Sequence, residues 1–209
     1  MKIISWSVNS LRRTIKADYI SGLIKKHQPD IICCSERNLL TNIEIIINYP
    51  YKYINTSSIY GYSSVGIFSK IKPKRKVVDW SEELNKDGRA LALEFNNYII
   101  VNCCYPGNHQ EDLNYKINVW NPMFIKIIKQ LQDHKPVIVC GSMNVENNPI
   151  DTYLNLYPNK LNYKYFSYKN NPQIDYVLTD ERLNDKIANS IILNDVEFSE
   201  HLPMQLTLK

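Results

Sequence analysis

Val137-Ile138-Val139-Cys140-Gly141-Ser142-Met143-Asn144-Val145 is the stretch on which the fold turns. It opens on four consecutive apolar residues, too few for an ordinary helix and without polar alternation, so they read as a strand buried on both faces. Glycine then breaks the run and small polar residues follow, as where a central strand leaves the core. Working outward, similar runs recur at Lys2 to Val8, Ile31 to Ser35, Ser64 to Ser69, Ala90 to Phe95, Tyr98 to Tyr105, Ile174 to Thr179 and Met204 to Leu208.

Helical periodicity is rarer. Ala17 to His27 spaces Ile20, Leu23 and Ile24 along one face until Pro29 stops it, and Tyr115 to Gln132 carries Trp120, Met123, Phe124, Ile127, Ile128 and Leu131 at three- and four-residue steps. Ala90 to Phe95 turns through Asn96-Asn97 into the next strand, a hairpin, whereas the helices supply crossovers, so the sheets should be mixed. Two sheets stacked face to face with helices outside is the α+β architecture expected. Asp151 to Pro172, rich in Tyr, Asn and Lys, shows no period and reads as loop with short elements. Its Tyr153, Tyr157, Tyr163, Tyr165 and Tyr168 alternate with Lys160, Lys164 and Lys169, which fits either base stacking or a compact loop bridging core and solvent.

The bulk properties bound these readings. At 209 residues, 44% of them hydrophobic, the chain suits one domain spanning 1–209. A formal charge of +4 suits an anionic partner without requiring one. The five cysteines, Cys33, Cys34, Cys103, Cys104 and Cys140, sit in apolar runs with no CxxC spacing, which argues against a disulfide scaffold or a zinc site and for buried thiols in a reducing compartment. No stretch reaches the roughly twenty apolar residues of a membrane span. The expected location is intracellular, cytoplasmic or nucleoid/nuclear, with no membrane partner.

Read together, the strand ends form five ordered blocks: Ile4-Ser5-Trp6-Ser7-Val8-Asn9-Ser10-Leu11-Arg12; Pro29-Asp30-Ile31-Ile32-Cys33-Cys34-Ser35-Glu36; Gly61-Tyr62-Ser63-Ser64-Val65-Gly66-Ile67; Val137 to Val145; and Ile174-Asp175-Tyr176 with Ser199-Glu200-His201. Asp87-Gly88-Arg89 and Asn147-Asn148-Pro149-Ile150-Asp151 add matching text. Their order and spacing resemble the exonuclease III and abasic-site endonuclease family of the endonuclease/exonuclease/phosphatase superfamily. The resemblance implies a four-layer α/β-β/α sandwich, DNA as substrate, a role in DNA repair, and Mg2+ or Mn2+ as cofactor wherever metal binding is retained. Phosphodiester hydrolysis needs such a cation, a base for water and donors for the developing charge.

Carried over by residue, the resemblance makes Glu36 the metal-binding glutamate, Asn144 the asparagine that fixes phosphate and water, His201 the phosphate-contacting histidine and Asp175 its orienting aspartate. Asn9 stands where relatives carry Asp or Asn and is compatible with a metal site. The departures gather at the chemistry. Ser7 replaces an asparagine, Ser142 replaces the aspartate proposed to align or deprotonate water, Cys104 and Gly107 replace phosphate-contacting residues, and Glu200 replaces the aspartate before His201, where it is a metal ligand only if the backbone compensates. A serine hydroxyl is hardly ionised at neutral pH, and loss of a positioned general base is typically worth about 10²–10⁴ in rate. No histidine adjoins Ser142 in a triad motif, so a lost aspartate explains it better than a new nucleophile.

Arg12, Arg13, Lys74, Arg75 and Lys76 are candidate nucleic-acid contacts, the last three only if their run lies on the face that carries Glu36 and His201; a solvated hairpin tip is the alternative. The Asp151 to Pro172 region looks shorter than its family counterpart. The expected function is an exonuclease III-like domain without most or all nuclease activity, acting by binding nucleic acid or a protein partner. The alternative is a Mg-dependent phosphodiesterase with a site rebuilt on Glu36, Asp175, Glu200 and His201.

Overall fold

The computed structural model describes residues 1–8, 13–36, 47–58, 62–77, 87–107, 110–143, 161–166, 175–194 and 201–209, with backbone alone for 13–18, 36, 110–112 and 161–166. The elements run β1 (Lys2–Ser7), α1 (Arg13–His27), β2 (Ile31–Glu36), β3 (Tyr51–Thr56), β4 (Ser64–Ser69), β5 (Arg75–Val77), β6 (Ala90–Glu94) and β7 (Ile99–Cys104). Then come α2 (Gln110–Tyr115), a π-helical turn (Lys116–Trp120), α3 (Asn121–His134), β8 (Val137–Ser142), β9 (Leu161–Phe166), β10 (Asp175–Asp180), β11 (Ile187–Ile192) and β12 (Met204–Leu208).

Two six-stranded sheets form, ordered β11-β12-β1-β2-β4-β3 and β5-β6-β7-β8-β10-β9. Each contains one parallel pair made by a helical crossover, β1 with β2 through α1 and β7 with β8 through α2 and α3; the other pairs are antiparallel. The expected mixed sheets are therefore present, as is the hairpin at Asn96-Asn97, closed by Phe95 N–H to the Tyr98 carbonyl at 2.9 Å.

Three apolar clusters separate four layers. Ile20 and Leu23 of α1 meet Ile4, Trp6, Ile32, Cys34 and Phe68 on the outer face of the first sheet. Ile3, Cys33, Ile67, Leu93, Ile100, Ile138 and Cys140 fill the space between sheets. Phe124, Ile128 and Leu131 of α3 cover Val101, Val137 and Val139 outside the second sheet. Neighbours along β1, β2, β7 and β8 alternate between clusters, which is why these strands must be apolar on both faces. Each fully buried side chain contributes roughly 1.5–3 kcal/mol.

Polar groups cross this seam as well, among them Asn55 of β3, which donates to the Ala90 carbonyl at 2.8 Å. Asn102 of β7, fully buried, donates through Nδ2 to the carbonyls of Cys34 (2.8 Å) and Gly66 (3.0 Å) in the opposite sheet. None of the cysteines is in a disulfide, and Cys33, Cys34, Cys103 and Cys140 are buried. Burial and the neighbouring Cys140 push the Cys34 thiol up to about 12, which keeps it protonated and inert.

Strands β1, β2, β7 and β8 all finish at one end of the sandwich, where β4 and β10 begin; the basic run lies at the other end. Register shows this directly: Arg75 pairs with Glu94, which pairs with Ile99 at the start of β7, whereas Cys104 stands at its finish. Glu94 accepts hydrogen bonds from Lys135 (2.6 Å) and Arg75 (2.7 Å), and these hold its carboxyl down at about 2, Lys135 foremost.

Two outcomes follow from this packing. A depressed folded-state carboxyl stabilises fully above its ordinary value of 4.5 and loses that contribution as pH falls toward about 2. Glu94→Gln should therefore flatten the acid limb of a pH-dependent urea-unfolding series between those values and leave neutral-to-basic curvature alone. Gly141, at φ +123°, would place a methyl 1.9 Å from the Cys103 carbonyl oxygen, so Gly141→Ala should lower unfolding free energy by about 3 kcal/mol or more in the same assay.

Candidate active site

The convergence of strand ends gathers several of the residues singled out in the sequence. Ser7 ends β1 and pairs with Ser35 of β2; Glu36 follows and pairs with Ser64. In the second sheet Cys104 ends β7 opposite Ser142, and Ser142 ends β8 opposite Asp175, the first residue of β10. Gly107 leaves β7 just beyond Cys104. His201 enters from the segment before β12, its carbonyl accepting a 2.9 Å bond from the Trp6 indole N–H.

At the centre is a buried polar chain. His201 Nδ1 lies 2.5 Å from Asp175 Oδ2, and Ser7 Oγ donates to Asp175 Oδ1 at 2.6 Å. Ser7 Oγ also lies 2.9 Å from Ser35 Oγ. Asp175 and His201 are each 7% exposed, and Ser7, Ser35 and Ser142 are buried. A buried carboxylate is tolerable only when hydrogen-bonded, and Asp175 has both oxygens engaged. Asp175 belongs to the second sheet while its partners come from β1 and from the segment before β12 of the first, so the chain ties the sandwich together at this end. With Nδ1 committed to Asp175, any contact His201 makes with an anionic oxygen uses Nε2.

Ser7 bonds the carboxylate and not the imidazole, which is the reverse of a hydrolytic triad, where the serine proton must pass to histidine. Nor does this arrangement fit a divalent cation by itself. Magnesium wants carboxylate and amide oxygens, whereas the described donors here are one carboxylate, already bonded to His201 and Ser7, and neutral hydroxyls. Among the described residues no group of three His, Cys, Asp or Glu side chains clusters to hold a metal. A cation bound by Asp175 would share that carboxylate with His201 and Ser7, each of its oxygens having a second lone pair. A cation would depend on the side chain of Glu36, of which only the backbone is described, and on Asn9, Asn144 and Glu200, which lie outside the described residues.

Arg12 also lies outside them, and Arg13 starts α1 with its backbone alone described. Lys74, Arg75 and Lys76 are exposed but sit at the opposite end, Arg75 paired with Glu94, so the structure does not bring them to the site. Of the tyrosine and lysine residues in Asp151 to Pro172, only the backbone of β9 is described, and it adds an edge strand beside β10 within the region expected to be loop with short elements.

Sequence reasoning gave Arg89 no role, yet the structure places it at this end. Its N–H groups lie against Asp87 Oδ2 (3.6 Å) and the Cys104 carbonyl (3.4 Å), its guanidinium stacks 4.5 Å from the Tyr62 ring, and its Nε is buried without a hydrogen-bond partner. Gly88 before it, at φ +63°, lets the backbone close within reach of Ser57 and Ser63. The available signal was the Asp87-Gly88-Arg89 triplet, in which a left-handed turn delivers an arginine beside its own carboxylate.

Residues 4–195 match the model of the Endonuclease/Exonuclease/phosphatase family. The chain belongs to that family. Within it, the relatives are of exonuclease III and abasic-site endonuclease type. An exodeoxyribonuclease of Bacillus subtilis is 28% identical over an alignment covering 100% of this chain and 99% of that protein. The DNA repair nuclease APEX1 of Danio rerio is 26% identical over 100% of this chain and 82% of its own. The Bacillus alignment runs over 252 positions against 209 here, so this family member lacks segments its relative has. Among solved structures, an AP endonuclease from Archaeoglobus fulgidus superposes with a TM-score of 0.76 at 17% identity, covering 100% of this chain and 99% of that one. The catalytic domain of Xenopus laevis APE2 gives 0.79 at 18%, covering 100% and 92%. These agree with the two-sheet α+β fold. No helix among the described residues is long and apolar enough to cross a membrane.

If both Asp175 oxygens are satisfied as described, Asp175→Asn presents an amide donor to one partner that is itself donating. Unfolding free energy should drop by about 1–3 kcal/mol in urea titrations at neutral pH.

Proposed function

We propose that this exonuclease III-like domain has lost most or all of its nuclease chemistry and acts by binding, with the phosphate backbone of DNA as its ligand. The observation that carries the reading is Ser142: a buried hydroxyl directly opposite Asp175, in the position that the resemblance gives to a water-activating carboxylate. Asp175 beside it is a poorer base, because each of its oxygens already accepts a hydrogen bond, from His201 and from Ser7. The carboxylate that the resemblance expects near water attack is therefore missing at position 142, and His201 Nε2 is the described group left to take a proton.

DNA is favoured as ligand by the naming of the relatives, which include an exodeoxyribonuclease and DNA repair nucleases, by the retained Asp175–His201 pair, and by the net charge of +4. A second reading, an active metal-dependent phosphodiesterase, is supported by that same intact pair, with metal held among Glu36, Asp175 and Glu200. A protein partner is the reading that remains if DNA does not bind.

The deciding assay incubates a labelled duplex bearing one abasic-site analogue with Mg2+ or Mn2+, comparing the protein with Glu36→Ala. No cutting above the variant is expected, with fluorescence anisotropy showing binding that weakens linearly in log salt. Metal-dependent cutting abolished by Glu36→Ala would overturn the proposal in favour of the phosphodiesterase. Because position 142 abuts a buried carboxylate whose other neighbour is Ser7, Ser142→Asp alone places two acids side by side. The double variant Ser142→Asp/Ser7→Asn should therefore regain cleavage over the wild type, by about 10² or more where only the base was missing.

A further inference from the structure

Ser7 stands where the resemblance puts an asparagine, and a side chain one group shorter would ordinarily leave a gap. Here it makes a hydrogen bond of its own instead. Asp175 belongs to the second sheet and Ser7 to the first, and the 2.6 Å bond between them spans the inter-sheet gap at its very end. We infer that Ser7, backed by Ser35, is a positioning residue that fixes the Asp175 carboxylate and through it the ring of His201. The inference rests on the reading that this pair is the working remnant of the site.

The direction of the chain follows from counting protons. An ionised carboxylate only accepts, so the Ser7 hydroxyl proton goes to Asp175 Oδ1. A hydroxyl has one proton to give; in its 2.9 Å approach to Ser35, Ser7 is then the acceptor and Ser35 the donor. Every bond in the series Ser35 to Ser7 to Asp175 points toward the carboxylate, an arrangement in which successive hydrogen bonds polarise one another. On the other oxygen, His201 Nδ1 completes the pair at 2.5 Å, while the Trp6 indole holds the same residue by its carbonyl. Ser7 is 1% exposed and Ser35 2%, so water does not compete for these positions.

If Oδ1 had no donor, Asp175 would be free to rotate about its terminal torsion, and the Nδ1 bond that selects the His201 tautomer would loosen with it. Ser7 is thus not simple wear at a family position. It replaces the reach of an amide by a hydroxyl aimed at a different group, and it explains how the Asp175–His201 pair stays ordered although position 142 carries no carboxylate.

The test needs neither DNA nor metal, so the outcome of the cleavage assay does not bear on it. Proton NMR of the full chain at low temperature is recorded for the downfield ring N–H of His201, assigned by its absence in His201→Gln. Ser7→Ala should move this resonance upfield and speed its exchange with water by about tenfold, the factor that a hydrogen bond to a charged group is worth. Ser7→Thr, which keeps the hydroxyl, should restore both, and thermal melting of each variant separates the effect from general loosening. Should Ser7→Ala fail to fold, Ser35→Ala decides, with a smaller upfield shift expected. An unchanged resonance in whichever alanine variant is read, equal loss in Ser7→Ala and Ser7→Thr, or no such resonance in the wild type overturns the inference.

Discussion

The constraint on which everything else depends is that both sheets are covered on both faces. A strand in the middle of such a stack has no solvent side, so β1, β2, β7 and β8 carry nearly unbroken apolar residues and hand them alternately to the inter-sheet seam and to a helix. Polar chemistry is then excluded from the strand bodies and accumulates where they end. The two parallel pairs run the same way, which sends Ser7, Glu36, Cys104 and Ser142 to one end of the stack. The site is in this sense a by-product of burial: it lies at an end of the stack, where central strands from both sheets are released from the need to be apolar.

The same constraint explains what was legible in the sequence. All the central strands could be found from their apolar runs. The elements that went unseen, β3, β5 and β11, together with β9, which was expected only as an unlocated short element, are the edges of the two sheets. An edge strand has a neighbour on one side only and is often half-covered: every residue of Tyr51–Thr56 is half-buried, and Ile187–Ile192 is mostly exposed or half-buried. Such strands carry neither a run nor a clean alternation, so no period marks them. The helix that begins at Gln110 was read from Tyr115 because its first turn, Gln110-Glu111-Asp112, offers no apolar residue to start the pattern.

The location of the site was legible for a different reason. Short blocks at strand ends keep their spacing, and the positions of Ser7, Ser142, Asp175 and His201 in one place followed from them. What did not follow was who bonds to whom. Ser7 and Asp175 are 168 residues apart and on different sheets, and which strand faces which across a sandwich is set by the packing of whole layers. A serine at position 7 therefore looked like an absence, although it is a donor. The basic run depended on placement in the complementary way: Lys74, Arg75 and Lys76 could be a solvated hairpin tip or phosphate contacts beside the site, and register puts them at the far end, with Arg75 answering Glu94.

Asn102 gives the sandwich a mechanical property. Its amide is pinned to two carbonyls of the facing sheet, from adjacent strands β2 and β4, in the middle of a dry seam. Sliding one sheet over the other by a single residue would break both bonds with no water to replace them, so the layers resist shear as a bolted joint does. A scaffold that cannot slide keeps the spacing between its strand ends constant whatever side chains stand there. Divergence in such a molecule proceeds by exchanging terminal residues on a fixed frame, which is how an architecture outlasts the particular groups mounted at its rim.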